Sequence, residues 1–318
     1  MTTPITTRPL VLESLPSAVL AEVTGLVHAA TEADGLHPLS EHVMLHLPLP
    51  ASGPDRHLLV YSDDPAGSSV QRLAGYAHLD PTDVVEGASA ELVVHPDLRG
   101  RWVGHVLVQH LEDLAPDDRL RLWAHGLSAP ARALAASRGY VTTRELWQMR
   151  RSLHAELPPY QCPEGYRLRT FEPGRDDEAW LAVNAAAFAD HPEQGSWTLA
   201  DLRHRMAEEW FDPAGFFVLQ AGDDIAGFHW TKVHGDGSSH GHEPIGEVYV
   251  VGVSPQHQGR GLGRTLTVAG LRHLRSLGLR QAMLYVDADN SAAVRTYSQL
   301  GFTRWDVDVQ FSRPAPSR

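Results

Sequence analysis

The chain carries an internal repeat, which restricts the possible folds more than any other feature of the sequence. The segments that begin at Glu91 and at Val248 both contain an apolar run, a proline and an Arg/Gly stretch, followed by apolar residues at helical spacing. The two segments align with Pro96 on Pro255. A period of about 160 residues is far too long for a solenoid repeat, so the sequence predicts a duplicated domain.

The junction between the two halves is rich in proline. Pro158, Pro159 and Pro163 lie within LHAELPPYQCPEGY and favour an extended linker. The predicted parts are an N-terminal domain at residues 1–152, a linker at 153–165 and a C-terminal domain at 166–318.

Strand and helix patterns alternate in each half in the same order. In the second half the apolar runs FFVLQAG, IAGFHWTKV, EVYVVGV and QAMLYV predict strands. Helices are predicted over TLADLRHRM, capped by Thr198, and over SAAVRTYSQLG, capped by Asp289 or Asn290. This order predicts the α/β (α+β) class, with a mixed central sheet flanked by helices in each domain.

Composition narrows the function. The 318 residues carry 39 acidic and 27 basic side chains, a formal net charge of -12, which argues against nucleic acid or an anionic membrane as the main partner. The single cysteine, Cys162, excludes an internal disulfide framework and a cysteine zinc site. Without a signal peptide pattern or a long apolar run, we expect a cytoplasmic, monomeric protein with a small-molecule substrate.

A glycine-rich loop lies between the strand EVYVVGV and the following helix. Its sequence, Gln258-Gly-Arg-Gly-Leu-Gly263, would present backbone N–H groups and the positive end of a helix dipole to a phosphate, with Arg260 and Arg264 beside it. A dinucleotide fingerprint fits poorly, because the loop comes late in its half. Taken alone, an ordinary glycine-rich turn explains the pattern as well.

Two motifs in order make the interpretation specific. Val251-Gly-Val-Ser-Pro255 with the Gln258–Gly263 loop resembles the acyl-CoA loop of the GNAT acetyltransferase superfamily, and the segment from Asn290 to Phe302 resembles the superfamily's next motif. The resemblance implies two tandem GNAT domains and acetyl-CoA as co-substrate, without a metal. The acetyl-CoA contacts it implies in the second half are Val251, Gly252, Val253, Gln258, Gly259, Arg260, Gly261, Leu262, Gly263, Arg264, Asn290, Ser291, Ala292, Ala293, Val294 and Arg295.

Acetyl transfer from a thioester to an amine needs a base, a stabilised carbonyl oxygen and an acid for the leaving thiolate. Glu247, at the start of the buried strand, is the candidate base, and a neutral Tyr297 is the candidate acid. A backbone N–H near Gly252 could stabilise the oxygen, and we expect Gly252 at a strand bulge where a ligand approaches closely. A solvated Glu247 and a core Tyr297 are the structural alternatives.

The acceptor can also be narrowed by resemblance. The tandem arrangement, FHWTKVH, GEVYVVGV and HPEQG resemble GNAT enzymes that acetylate the cysteine amine of a cysteinyl glucosaminyl inositol. The residues this resemblance assigns to the acceptor are Glu41, Glu193, Lys232, Glu247 and Tyr285. For Glu41, expected to reach the acceptor from the first half, and for Glu193, a plain surface carboxylate is an equally good interpretation.

The first half lacks the proposed catalytic groups. Ala88 stands where the second half has Glu247, and Ala135 stands where it has Tyr297, so we expect this half not to be catalytic. Trp102 replaces Gly261 in its loop and could close the loop or stack on a ligand. The positions that the family uses for acetyl-CoA in its first domain are Leu92, Val93, Val94, Gly100, Arg101, Trp102, Val103, Gly104 and His105.

Other functions remain open. A metal could bind His234, His240, His242 and Glu243 in HGDGSSHGHE, but the spacing is irregular and we expect no metal. The rival functions are acetylation of another small amine or a protein N-terminus, and a non-catalytic acetyl-CoA sensor.

Overall fold

The computed structural model contains two compact units. It describes residues 5, 7–48, 53–63, 71–83, 87–116, 119–189, 194–235 and 244–313. The first unit comprises Met1–Leu146 with Asp306–Arg318, and the second comprises Trp147–Trp305. This division differs from the predicted domains in two places. Residues 306–313 pack with the first unit, and residues 147–152 pack with the second.

The first unit is a mixed sheet with four helices. Its strands are β1 (Leu10–Leu12), β2 (Arg56–Asp63), β3 (Gln71–Asp80), β4 (Ala88–Val94) and β5 (Leu120–Ala124). Strand β6 (Val141–Ser152) contributes its residues up to Leu146 to this unit. Its helices are α1 (Ser17–Asp34), α2 (Glu41–His46), α3 (Val103–Leu114) and α4 (Ala129–Ser137). The strand order is β1-β2-β3-β4-β5-β12, where β12 is Thr303–Ser312. Of the five neighbouring pairs in this order, β4–β5 is parallel and the others are antiparallel.

The second unit repeats this arrangement. Its further strands are β7 (Arg167–Thr170), β8 (Phe216–Ala221), β9 (Asp224–His234), β10 (Ile245–Val253), β11 (Gln281–Asp287) and the first part of β12 (Thr303–Ser312). Its helices are α5 (Asp177–Ala187), α6 (Leu199–Met206), α7 (Leu262–Ser276) and α8 (Ser291–Gln299). The strand order is β6-β11-β10-β9-β8-β7, in which β10 and β11 are parallel. The predicted α/β class with a mixed central sheet is confirmed.

Helices cover both faces of the second sheet. On one face, Leu271 and Leu274 of α7 pack with Val248 and Leu284 of the sheet. On the other face, Trp180 of α5 packs among aromatic side chains that include Phe216, Phe228 and Trp230. Because successive strand residues point to opposite faces, these two cores establish the direction in which each β10 side chain points.

Local signals place the helix ends where the sequence predicts them. Thr198 forms a capping box with Asp201 at the start of α6. The Asn290 side chain accepts a hydrogen bond from the Ala293 N–H at the start of α8, so Asn290 and not Asp289 is the cap. Within the described part of the chain, no helix is long and apolar enough to cross a bilayer.

Candidate active site

A bulge in β10 builds the centre of the second unit. The register with β9 pairs Glu247 with Lys232 and Val248 with Thr231, then shifts between Val248 and Val250. Because of the extra residue, Tyr249 and Val250 both pack on the α5/α6 side. Glu247, Tyr249 and Lys232 therefore lie on one face of the sheet.

Glu247 lies where two parallel strands separate. β10 and β11 pair only at Gly246–Ala282 and Glu247–Met283, so the strands diverge beyond Glu247. Glu247 is 6% exposed, and its Oε2 lies 2.6 Å from Nε2 of His234. A buried carboxylate at the mouth of this wedge is positioned to take a proton from a group bound between the strands.

The contact of His234 with this carboxylate was not predicted from the sequence. His234 was considered only as a metal ligand, and the other candidates for that metal, His240, His242 and Glu243, lie outside the described residues. Within the described ranges no group of three or more His, Cys, Asp or Glu side chains could hold a metal ion. His234 and Glu247 lie on two adjacent strands, and their spacing in the sequence was the signal that could have identified this contact.

Lys232 is held in an aromatic pocket. The side chain is 6% exposed, and its Nζ lies 4.5 Å from the ring centre of Trp210 and 5.4 Å from that of Tyr249. Nearby, the Arg205 guanidinium stacks 3.8 Å over Trp197 and donates a hydrogen bond to the Tyr249 hydroxyl. Cation–π contacts of this kind stabilise a buried cation without neutralising it. Lys232 is the cross-strand neighbour of Glu247 on this face.

Tyr285 extends the same face on β11. Ala282, Leu284 and Val286 point into the α7 core, so Tyr285 points to the opposite face, on the side of Glu247. Its side chain is 41% exposed, and its hydroxyl accepts a hydrogen bond from Nε2 of Gln148. The structure thus brings the three sequence-predicted residues Lys232, Glu247 and Tyr285 to one face of the sheet.

Tyr297 lies on α8, which follows β11. The half-buried ring contacts Phe302 edge to face, with 5.9 Å between ring centres. Burial raises the pKa of the Tyr297 phenol to about 12. A phenol with this pKa stays protonated at neutral pH, which is the state that an acid needs.

The glycine-rich loop has the geometry of an anion site. Gly259 and Gly261 both have φ of 75°, in the left-handed region, and open space surrounds the position of an added Cβ at each. Backbone conformation and not crowding therefore requires these glycines. Gly261 caps α7, whose first N–H groups lack helical partners. Arg260 donates a hydrogen bond to the Tyr166 hydroxyl at 3.0 Å.

The remaining predicted cofactor residues lie in this loop, at the start of α7 and on α8. The side chain of Gln258 donates to the carbonyl of Val253, and Arg264 donates to Gln299. Ser291, Ala292, Ala293, Val294 and Arg295 form the first turns of α8. Leu262 and Gly263 begin α7, and Leu262 is buried.

The expectation of a strand bulge at Gly252 was wrong. The bulge lies between Val248 and Val250, and Gly252 continues the regular pairing with Phe228. A Cβ at Gly252 would lie 2.6 Å from Cε1 of Phe228, so ring packing from β9 explains the glycine without a ligand. Val251 and Val253, on either side, contact the cluster that contains Leu266.

The first unit retains the loop conformation without a glycine at the cap. Trp102 caps α3 with φ of 71°, close to the 75° of Gly261, and it is the one non-glycine residue with positive φ among the described residues. Gly100 has φ of 72°, as Gly259 has 75°. Trp102 is 57% exposed, and its ring centre lies 4.7 Å from that of His105, with an angle of 40° between the rings. The other predicted contacts of this unit are Leu92, Val93 and Val94 at the end of β4, Arg101 in the loop, and Val103 and Gly104 at the start of α3.

The strands of the first unit separate later. β4 and β5 remain paired from Ala88–Leu120 to Glu91–Trp123. Buried Glu91 lies 3.2 Å from Nε2 of His125, whose Nδ1 lies 3.1 Å from Asp308. The two carboxylates raise the pKa of His125 to about 10, against the opposing effect of burial. An ion cluster therefore occupies the end of this strand pair.

The last two predicted acceptor residues are Glu41 and Glu193. Glu41 is the first residue of α2, and the Ser40 side chain caps that helix. Glu193 lies outside the described residues.

Comparison with known proteins supplies the class of this protein. A family model described as Acetyltransferase (GNAT) family matches residues 27–140 and 180–302. The chain therefore belongs to the GNAT acetyltransferase family, as two tandem domains, and is an acyltransferase.

Particular relatives are closer. The mycothiol acetyltransferase of Streptosporangium roseum is 54% identical, over 92% of this chain and 96% of the relative. That of Acidothermus cellulolyticus is 55% identical, over 94% and 92%. A solved tandem GNAT protein from the clavulanic acid biosynthesis pathway shares the fold with a TM-score of 0.70, at 18% identity over 98% of this chain and 99% of that one.

Proposed function

We propose that this protein transfers the acetyl group of acetyl-CoA to the cysteine amine of a cysteinyl glucosaminyl inositol, which yields mycothiol. The observation that carries the proposal is the buried Glu247, paired with Lys232 at the point where β10 and β11 separate. The names of the close relatives support the choice of acceptor. The reaction would take place in the second unit, in a monomeric cytoplasmic protein.

In the proposed mechanism the amine attacks the thioester directly. Glu247 takes a proton from the ammonium, directly or through one water, and the free amine attacks the carbonyl carbon. The C–S bond then breaks, Tyr297 gives a proton to the leaving thiolate, and the second proton that the nitrogen loses passes back to Tyr297. Tyr297 is protonated at neutral pH, as the acid role needs, and Glu247 is buried where the strands separate.

The cofactor would be held by the loop before α7. N–H groups at the start of α7 bind the pyrophosphate, and Arg260 and Arg264 add positive charge. The acetyl-CoA arm would extend into the wedge between β10 and β11. A free N–H of Val251 to Val253 would stabilise the carbonyl oxygen.

The acceptor would bind on the α5/α6 side of the sheet. Lys232 and Tyr285 present a donor and a hydroxyl to the sugar hydroxyls, and Glu247 attracts the ammonium. Glu41 and Glu193 remain predictions for the same acceptor.

The first unit is proposed to bind acetyl-CoA without turnover. The positions Gly100 and Trp102 keep the backbone conformation of the second loop, whereas Ala88 and Ala135 replace the base and the acid. Equilibrium dialysis is expected to give two acetyl-CoA molecules per chain, and a value of one would remove this second site.

The test of the function is CoA release from acetyl-CoA with the cysteinyl glucosaminyl inositol, beside a panel of simple amines. Fast release with the cysteinyl compound alone is the expected result. Release with a different amine would replace the acceptor and keep the mechanism. Acetyl-CoA binding without release on any amine would favour a sensor.

A further inference from the structure

The proposed base has a proton to dispose of in each turnover. Acetylation converts an ammonium and a thioester into an amide, a thiol and one free proton. Glu247 would receive that proton, but its side chain is only 8% exposed. Another group must carry the proton from the carboxyl to solvent.

His234 is placed to do so. Its Nε2 lies 2.6 Å from Oε2 of Glu247, and its side chain is 35% exposed. His234 pairs with Ile245 across β9 and β10, two residues before Glu247, so both side chains point to the same face. The imidazole thus touches the buried carboxyl on one side and solvent on the other.

Other charged and titratable groups also face this carboxyl. Lys232 on β9 and Arg205 on α6 are buried, so neither side chain reaches solvent as His234 does. Lys232 lies over the rings of Trp210 and Tyr249, and Tyr285 on β11 accepts a hydrogen bond from Gln148. Imidazole is moreover the side chain that both accepts and releases protons near neutral pH.

We propose that His234 is a positioning residue that also relays the proton from Glu247 to solvent, an inference that rests on the proposed function. The ammonium N–H bond breaks and an O–H bond forms on Glu247. The carboxyl then gives this proton to Nε2 of His234, and the imidazolium releases a proton to water or buffer. No electrons are exchanged, and one proton leaves per amide formed.

Two substitutions separate relay from orientation. His234→Gln places an amide N–H near the position of Nε2, so it can still orient Glu247 but cannot carry a proton. His234→Ala leaves a gap that opens to solvent and can admit free imidazole. His204→Ala, at an exposed histidine of α6, is the matched control.

The measurement is kcat and KM for acetyl-CoA at low buffer concentration, with and without added imidazole. We expect both His234 variants to lose about tenfold or more in kcat, within the range of general acid–base effects, with KM changed less than about twofold. Imidazole should restore kcat in His234→Ala and should not affect the wild type or the control. A wild-type kcat in His234→Gln, or no rescue of His234→Ala, would overturn the relay.

The same assays distinguish failure of the relay from failure of the proposed function. The wild-type rate with the cysteinyl compound tests the function, and the ratio of variant to wild type tests the relay. If the wild type acetylates another amine instead, the ratios are measured with that amine, because every ammonium acceptor releases the same proton. In a Glu247→Gln background, His234→Ala should cause no further loss of kcat, and an additive loss would also contradict the relay.

Discussion

Acid should destabilise the second unit through one buried histidine. His229, on β9, is fully buried, and its Nδ1 donates a hydrogen bond to the Leu266 carbonyl at 2.7 Å. Its Nε2 is buried and has no hydrogen-bond partner among the described residues. Desolvation lowers the pKa of His229 to about 4, and nearby His273 acts in the same direction. The folded state therefore holds this imidazole neutral.

The sign and size of the effect follow from linkage. The pKa of His229 is lower in the folded state than the value of 6.5 of a free histidine, so the unfolded state binds more protons. The contribution to stability is complete above that value and is lost as the pH falls toward 4. Between about pH 7.5 and about pH 5 the loss is about 2 kcal/mol. This is a large fraction of the roughly 5–15 kcal/mol that stabilises a typical domain.

The assay compares the wild type with His229→Asn by chemical denaturation at both pH values. Asparagine can keep a donor for Leu266 but does not titrate. Tryptophan fluorescence reports this unit, because Trp180 and Trp230 are fully buried in it. We expect the wild type to lose about 2 kcal/mol more than the variant between the two pH values. Equal losses in the two proteins would refute a neutral, buried His229.

Four further outcomes are expected. Glu247→Gln should lower turnover most at acid pH, where the amine is more protonated, and an unchanged pH–rate profile would remove Glu247 as the base. Tyr297→Phe should slow acetyl transfer and leave the KM for acetyl-CoA nearly unchanged, whereas full activity would exclude the acid role. Gly261→Ala should cost about 1–2 kcal/mol, because it places a side chain at φ of 75°, and should raise the KM for acetyl-CoA; an unaltered KM would argue against phosphate binding by this loop. Gly270→Ala should destabilise the protein by about 1–3 kcal/mol, because its Cβ would lie 2.0 Å from the His229 ring, and the cost should fall in a His229→Ala background; additive costs in that double variant would refute the contact.

Much of the fold could be predicted because its signals are local. A side-chain cap such as Asn290 or Thr198 acts within three residues of its own position. The turns at Pro96–Leu98 and Pro255–His257 are likewise matched in the two units, as the repeat indicates. Gly252 shows the limit of local reasoning. A side chain at position 252 would meet the Phe228 ring on the neighbouring strand β9, and sequence spacing does not reveal that contact.

The candidate site was predictable only in part, for a similar reason. Lys232, Glu247 and Tyr285 were all predicted as acceptor residues, and the strand registers bring them to one face. The roles of Tyr249 and His234 depend on the bulge and on the β9–β10 register. A bulge shifts the alternation of faces by one residue, so period-two reasoning assigns every later side chain to the wrong face.

Structural differences separate the second unit, which we propose to be the catalytic one, from the first. The backbone conformation of the loop before α3 and α7 is not one of these differences. Trp102 has the left-handed conformation of Gly261, which a glycine adopts without strain. The strand pair differs more: β4 and β5 stay paired through Glu91, which aligns with Val250, whereas pairing in the second unit ends at Glu247. β4 pairs with β3 without a register shift, so Ser89 and not Ala88 lies opposite Asp80, which aligns with Lys232. An Ala88→Glu side chain would therefore point to the other face of the sheet, and we expect that this substitution alone would not give the first unit a base in the position of Glu247.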